Sequence, residues 1–101
     1  MTQQTENTSE EKRKLLNEAI SKGREAETLL NSDYFNRALA ELDADYKGSI
    51  SALKPSDAQG FFRLQTSRLT LDELVAKIRG DKASGERANK ELIGDKPKRR
   101  T

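Results

Sequence analysis

The sequence predicts an all-α protein: an antiparallel helical hairpin over about residues 32–54 and 56–79, an additional N-terminal helix over about 9–30, a short or conditional C-terminal helix, and disordered ends. Three observations lead there. Apolar residues recur at steps of three and four, the spacing of one helix face, which leaves little room for strands. The dipeptide Lys54-Pro55, followed by Ser56-Asp57, divides the longest periodic stretch into two helix-length pieces. With 33% hydrophobic and 36% charged residues in a chain of 101, the composition suits amphipathic helices over a thin core. The expected organisation is an N-terminal arm at 1–8, a helical domain at 9–80, and a basic tail, weakly helical to disordered, at 81–101.

Residues Thr2 to Thr8 are polar and without apolar periodicity, hence the expected arm. Thr8 and Ser9 are N-cap candidates, and Glu11, three residues after Thr8, completes a capping box. Leu15, Leu16, Ala19, Ile20, Gly23, Ala26, Leu29 and Leu30 then line one side of the first helix, which Asn31-Ser32-Asp33 ends. Ser32 is the expected N-cap of the second helix, with Asp33 favoured at the positive end of its dipole. Phe35, Ala38, Leu39, Leu42, Tyr46, Ile50 and Leu53 form its stripe. Gly48 inside it marks a close crossing, a weak point or mere tolerance.

Pro55 turns the chain, and Ser56 with Gln59 reads as a second capping box. The third helix carries Phe61, Leu64, the stem of Arg68, Leu71, Leu74, Val75 and Ile78. Thr70-Leu71-Asp72-Glu73 also reads as a capping box, so a break near Leu69 competes with the continuous helix that the spacing favours. Gly80 is placed as a left-handed terminator. Beyond it, Ala83, Ala88, Leu92 and Ile93 are sparse apolar marks, and Ser84-Gly85 dilutes helix propensity further. The expected packing or oligomer seam is Leu15, Leu16, Ile20, Leu29, Phe35, Leu39, Leu42, Tyr46, Phe61, Leu71, Leu74 and Ile78. The hairpin closes on itself, and the Leu15–Leu30 stripe covers that pair or a neighbouring subunit.

Composition also bounds function. The chain has no cysteine and no histidine, which removes disulfides, thiol chemistry, the commonest general base and the commonest transition-metal ligand. No phosphate loop, nucleophile elbow or calcium loop is present, so the expectation is a non-enzyme without cofactor, metal or small-molecule substrate. Glu41, Asp43 and Asp45 cluster in sequence, but helical offsets splay them around the cylinder as a solvated acidic face. A helix-turn-helix reading fails because the helix after the turn opens Asp57-Ala58-Gln59-Gly60-Phe61-Phe62 and not with polar, basic residues. Apolar runs of two or three residues fall far short of the roughly 20 that span a bilayer, and the first residues lack a secretory signal. The expected location is the cytoplasm. Charge is polarised: residues 1–79 carry 12 Lys+Arg against 13 Asp+Glu, residues 80–101 carry 7 against 4. Lys96, Lys98, Arg99 and Arg100 could meet phosphates or an acidic protein surface, or simply be solvated.

The run Leu29-Leu30-Asn31-Ser32-Asp33-Tyr34-Phe35-Asn36-Arg37-Ala38-Leu39-Ala40-Glu41-Leu42-Asp43-Ala44-Asp45-Tyr46, a Pro/Asp turn, and Leu71-Asp72-Glu73-Leu74-Val75-Ala76-Lys77-Ile78-Arg79-Gly80-Asp81-Lys82-Ala83 resemble small helical-hairpin proteins encoded among the head-morphogenesis and DNA-packaging genes of tailed bacteriophages. The resemblance covers about residues 29–83 and carries no catalytic residues. It implies a structural or assembly protein of the phage particle (inner-capsid, connector or scaffold-like), with homo-oligomers, capsid or portal protein as partners and the host cytoplasm or the virion as location. Two further expectations stand beside it: a DNA-packaging accessory, a small terminase-like oligomer holding nucleic acid non-specifically through the basic tail, and a phage-encoded inhibitor or adaptor of a host protein.

Overall fold

A computed structural model of the chain describes residues 2–94, with side chains from Ser9 onward. Among the described residues there are three α-helices and no strands: α1 (Thr2–Leu30), α2 (Asp33–Ala52) and α3 (Ala58–Gly94).

Helix α1 starts earlier than its apolar stripe. Thr8 and Ser9 lie inside it and do not cap it, and the expected disordered arm is helical from Thr2. The physical reason is propensity: Gln3, Gln4 and Glu6 are good helix formers, and no glycine or proline interrupts them. The junction with α2 follows the sequence reading. Ser32 is extended at φ −73°, ψ 125°, and its hydroxyl accepts a hydrogen bond from the Phe35 amide at 3.2 Å. The Asn36 side-chain amide donates to the carbonyls of Leu30 at 2.8 Å and Ser32 at 3.0 Å, so carbonyls left over at the junction are satisfied locally.

At the next turn the cap moves by one residue. The Asp57 carboxylate, and not the Ser56 hydroxyl, caps α3 by accepting from the Gly60 amide at 2.8 Å, and the helix starts at Ala58. The Asp57 amide donates to the Lys54 carbonyl at 2.9 Å, a turn that sets the carboxylate in place. A charged acceptor at a helix N-terminus also gains from the dipole, which a hydroxyl does not.

Helix α3 is continuous for 37 residues, as the spacing favours across Leu69, and it runs past the terminator expected at Gly80. There is no break near Leu69: Thr70, read as a cap, donates its hydroxyl to the Thr66 carbonyl at 3.0 Å, and Thr66 does the same to Phe62 at 2.9 Å. A threonine that bonds four residues back stays inside a helix. Gly80 does not terminate the helix either, since no glycine among the described residues has a positive φ. The expected short or conditional helix at 81–93 is therefore the last part of α3.

The chain divides into two compact units. The first joins α1 as far as Thr28 to α3 from Arg79. Its two segments run antiparallel: Lys12 pairs with Glu91 at 3.5 Å, while farther along α1 a Cβ on Gly23 would lie 2.8 Å from the Gly85 Cα and 3.0 Å from the Asp81 carbonyl oxygen. Ile20, Gly23 and Ala26 on α1 and Gly85 and Ala88 on α3 are buried there. The α1 stripe thus meets the segment expected to be a tail, neither of the two partners foreseen for it. The second unit is Leu29–Ile78, with α2 and residues 58–78 of α3. It contains no buried residue.

Gly48 and Gly80, both in helix interiors, have no packing role. A Cβ on Gly48 or on Gly80 would meet nothing within 4 Å. Gly48→Ala and Gly80→Ala are each expected to raise stability by about 0.5–1 kcal/mol, read as a higher melting temperature, because alanine removes the entropic penalty of glycine in a helix interior without a clash.

Candidate functional site

In the Leu29–Ile78 unit, α2 turns one line of half-buried residues inward: Phe35, Ala38, Leu39, Asp43, Tyr46, Ile50 and Leu53. The corresponding line on α3 is Gly60, Leu64, Arg68, Leu71, Val75 and Ile78. Asp43 Oδ1 and Arg68 Nη2 join the two helices at 3.1 Å, and the same carboxylate takes Lys47 at 3.1 Å, one turn along α2. Nearer the turn, Leu53 Cδ2 stands where a Cβ on Gly60 would come within 2.9 Å.

Large apolar side chains remain outside these lines. Leu42 (38% exposed) lies about 40° around α2 from its half-buried line, and Leu74 (54% exposed) about 75° around α3 from its own. Phe61 is exposed beside the turn, where Ile50, Leu53, Pro55 and Ala58 border an open cleft. Phe62 (71% exposed) and Leu69 point nearly opposite to the α3 line. Tyr34 is exposed with the Arg37 guanidinium 5.9 Å from its ring centre.

Of the seam residues read from the sequence, Ile20 is buried. Leu16, Phe35, Leu39, Tyr46, Leu71 and Ile78 are half-buried, and Leu15, Leu29, Leu42, Phe61 and Leu74 are exposed. Leu15, Leu16 and Ile20 belong to the first unit; the others belong to the second. The basic residues Lys96, Lys98, Arg99 and Arg100 lie outside the described residues. Sequence reasoning missed the role of Gly85, which lies against Gly23 and Ala19, and read Ala88, buried in the same unit, only as a sparse apolar mark. The available signal was small residues at three- and four-residue steps in both segments.

Other clusters have different chemistry. A cleft of about 130 Å³ beside the glycine crossing is lined by Arg24, Glu27, Lys82 and Glu86, whose charges balance. Among the described residues no group of three or more His, Cys, Asp or Glu could hold a metal ion, and Asp43 of the acidic cluster is engaged with Lys47 and Arg68. No helix there is long and apolar enough to cross a membrane. What the second unit offers is helix surface: apolar side chains between charged rows. Comparison of the chain with protein-family models, with curated protein sequences and with solved structures finds no match.

Proposed function

We propose that the chain is a non-enzymatic assembly protein of a tailed-phage particle, of inner-capsid, connector or scaffold-like kind, acting through helix–helix contacts. In this reading α2 and residues 58–78 of α3 form an antiparallel hairpin, with the Asp43–Arg68 ion pair and the Leu53–Gly60 approach as cross-links between its arms. The observation that carries the reading is the imbalance of burial: among the described residues Ile20, Ala26 and Ala88 are the buried apolar ones, while Leu42, Phe61, Phe62, Leu69 and Leu74 are open to solvent. Small domains with so little core complete it by association. The resemblance of residues 29–83 to head-morphogenesis proteins supplies the setting.

The test is made in cells producing the particle. The chain is expected to cosediment with procapsids or portal complexes, and disruption of its gene is expected to lower the yield of filled particles. Normal particle yield without cosedimentation contradicts the proposal. So does DNA binding by the purified chain that collapses with added salt and disappears on deleting residues 95–101, which is the behaviour of a packaging accessory.

A further inference from the structure

We infer that the Leu29–Ile78 unit pairs with the same unit of a second copy of this chain, forming a four-helix bundle across the face that carries Leu42 and Leu74. The inference rests on the hairpin reading above and names the partner of that surface.

The two sides of the hairpin differ. With Asp43 and Arg68 joined on one side, the handedness of antiparallel helices assigns every other position to a side at about 100° per residue. The ion-pair side receives Leu39, Ile50 and Val75 from the half-buried lines together with Lys47, Asp72 and Phe61, so charged groups interrupt its apolar residues. The other side receives Ala38, Leu42 and Ser49 from α2 and Ser67, Leu71 and Leu74 from α3. That row is free of charge along its centre, and its two leucines of highest exposure, Leu42 and Leu74, come from different helices.

Charge at the rim selects the occupant. Flanking the row, α2 presents Glu41 and Asp45, whereas α3 presents Arg63 and Lys77. A second copy related by a twofold axis parallel to the helices sets α2 of one chain against α3 of the other. The acidic rim of each copy then meets the basic rim of its partner, twice by symmetry. Taking Asp43 and Arg68 as level with each other, Asp45 comes within one helical turn of the partner's Arg63. The alternative twofold, perpendicular to the helices, sets acidic rim on acidic rim and basic on basic, which is repulsive. The allowed arrangement is a four-helix bundle with short intrachain connections. It buries the half-exposed lines of both hairpins as a shared core, which neither copy has alone.

Sedimentation of the full chain tests this with three variants. Wild type is expected as a dimer at micromolar concentration. Leu42→Glu/Leu74→Glu is expected to raise the dissociation constant about 100-fold or more with helix content retained, because both side chains are already open in the single chain. Asp45→Arg is expected to weaken the dimer about tenfold, and adding Arg63→Asp to it to recover most of that loss. A wild-type monomer whose helices melt cooperatively overturns the second copy while leaving the hairpin standing. A wild-type monomer with helix content well below the three helices overturns both. A double leucine variant that stays dimeric, or a charge swap that recovers nothing, overturns the proposed face.

Discussion

Gly85→Ala is expected to destabilise the unit formed by α1 and the end of α3 by about 1–2 kcal/mol, despite the gain in helix propensity. A Cβ at Gly85 would lie 2.8 Å from the Gly23 Cα and 2.9 Å from the Ala19 carbonyl oxygen, distances that real Cβ atoms do not tolerate. Both obstacles are backbone, so no side-chain rotation relieves them and the helices have to separate. Overpacking of this kind typically costs about 1–3 kcal/mol. The propensity gain of replacing glycine by alanine is about 0.5–1 kcal/mol, so the clash wins. Gly80→Ala, five residues earlier on the same helix and in open space, is the control. Thermal melting decides the sign, and hydrogen exchange locates the effect: amides of α1 facing residues 81–92 should exchange faster in Gly85→Ala. A variant as stable as Gly80→Ala would contradict the close crossing.

Ile20→Ala is expected to cost about 2–3 kcal/mol. Ile20 is 8% exposed, and the other buried apolar residues among those described are Ala26 and Ala88, so it is the large aliphatic side chain buried in this contact. Removing a buried isoleucine costs about 2–5 kcal/mol, in part because a cavity is left behind. The value here falls in the lower part of that range because Ile20 borders two open clefts beside the crossing, and water enters the vacated space. Chemical denaturation measures it directly. A loss under about 0.5 kcal/mol would show that the crossing is held by something other than Ile20.

The two units together show where the sequence was legible and where it was not. Helix α2 could be read almost to its ends, because Ser32 has the geometry its position suggests and Phe35, Leu39 and Tyr46 keep the helical period. The start of α3 was displaced by one residue because two good caps, Ser56 and Asp57, stand side by side and only the turn geometry chooses between them. Thr70 was ambiguous for a related reason: the hydroxyl that caps a helix start also bonds back inside a helix. The larger miss was the end of α3. Gly80 and Gly85 look like punctuation, and segment 81–93 has few large apolar residues, so it reads as a tail. Its contact with α1 depends on the absence of side chains at Gly23 and Gly85, and a missing side chain leaves almost no hydrophobic signal. The candidate surface was half legible. Leu42, Phe61 and Leu74 were readable as seam residues, but their remaining open in the single chain follows from packing geometry and not from periodicity.

The central claim is that this chain completes its apolar burial against another chain. The most direct measurement is the molar mass of the wild-type protein in solution across a concentration series. A mass of twice 11.3 kDa, falling toward 11.3 kDa on dilution, is the predicted result. A mass of 11.3 kDa at every concentration, with all three helices formed and melting together, would contradict a second copy as the partner.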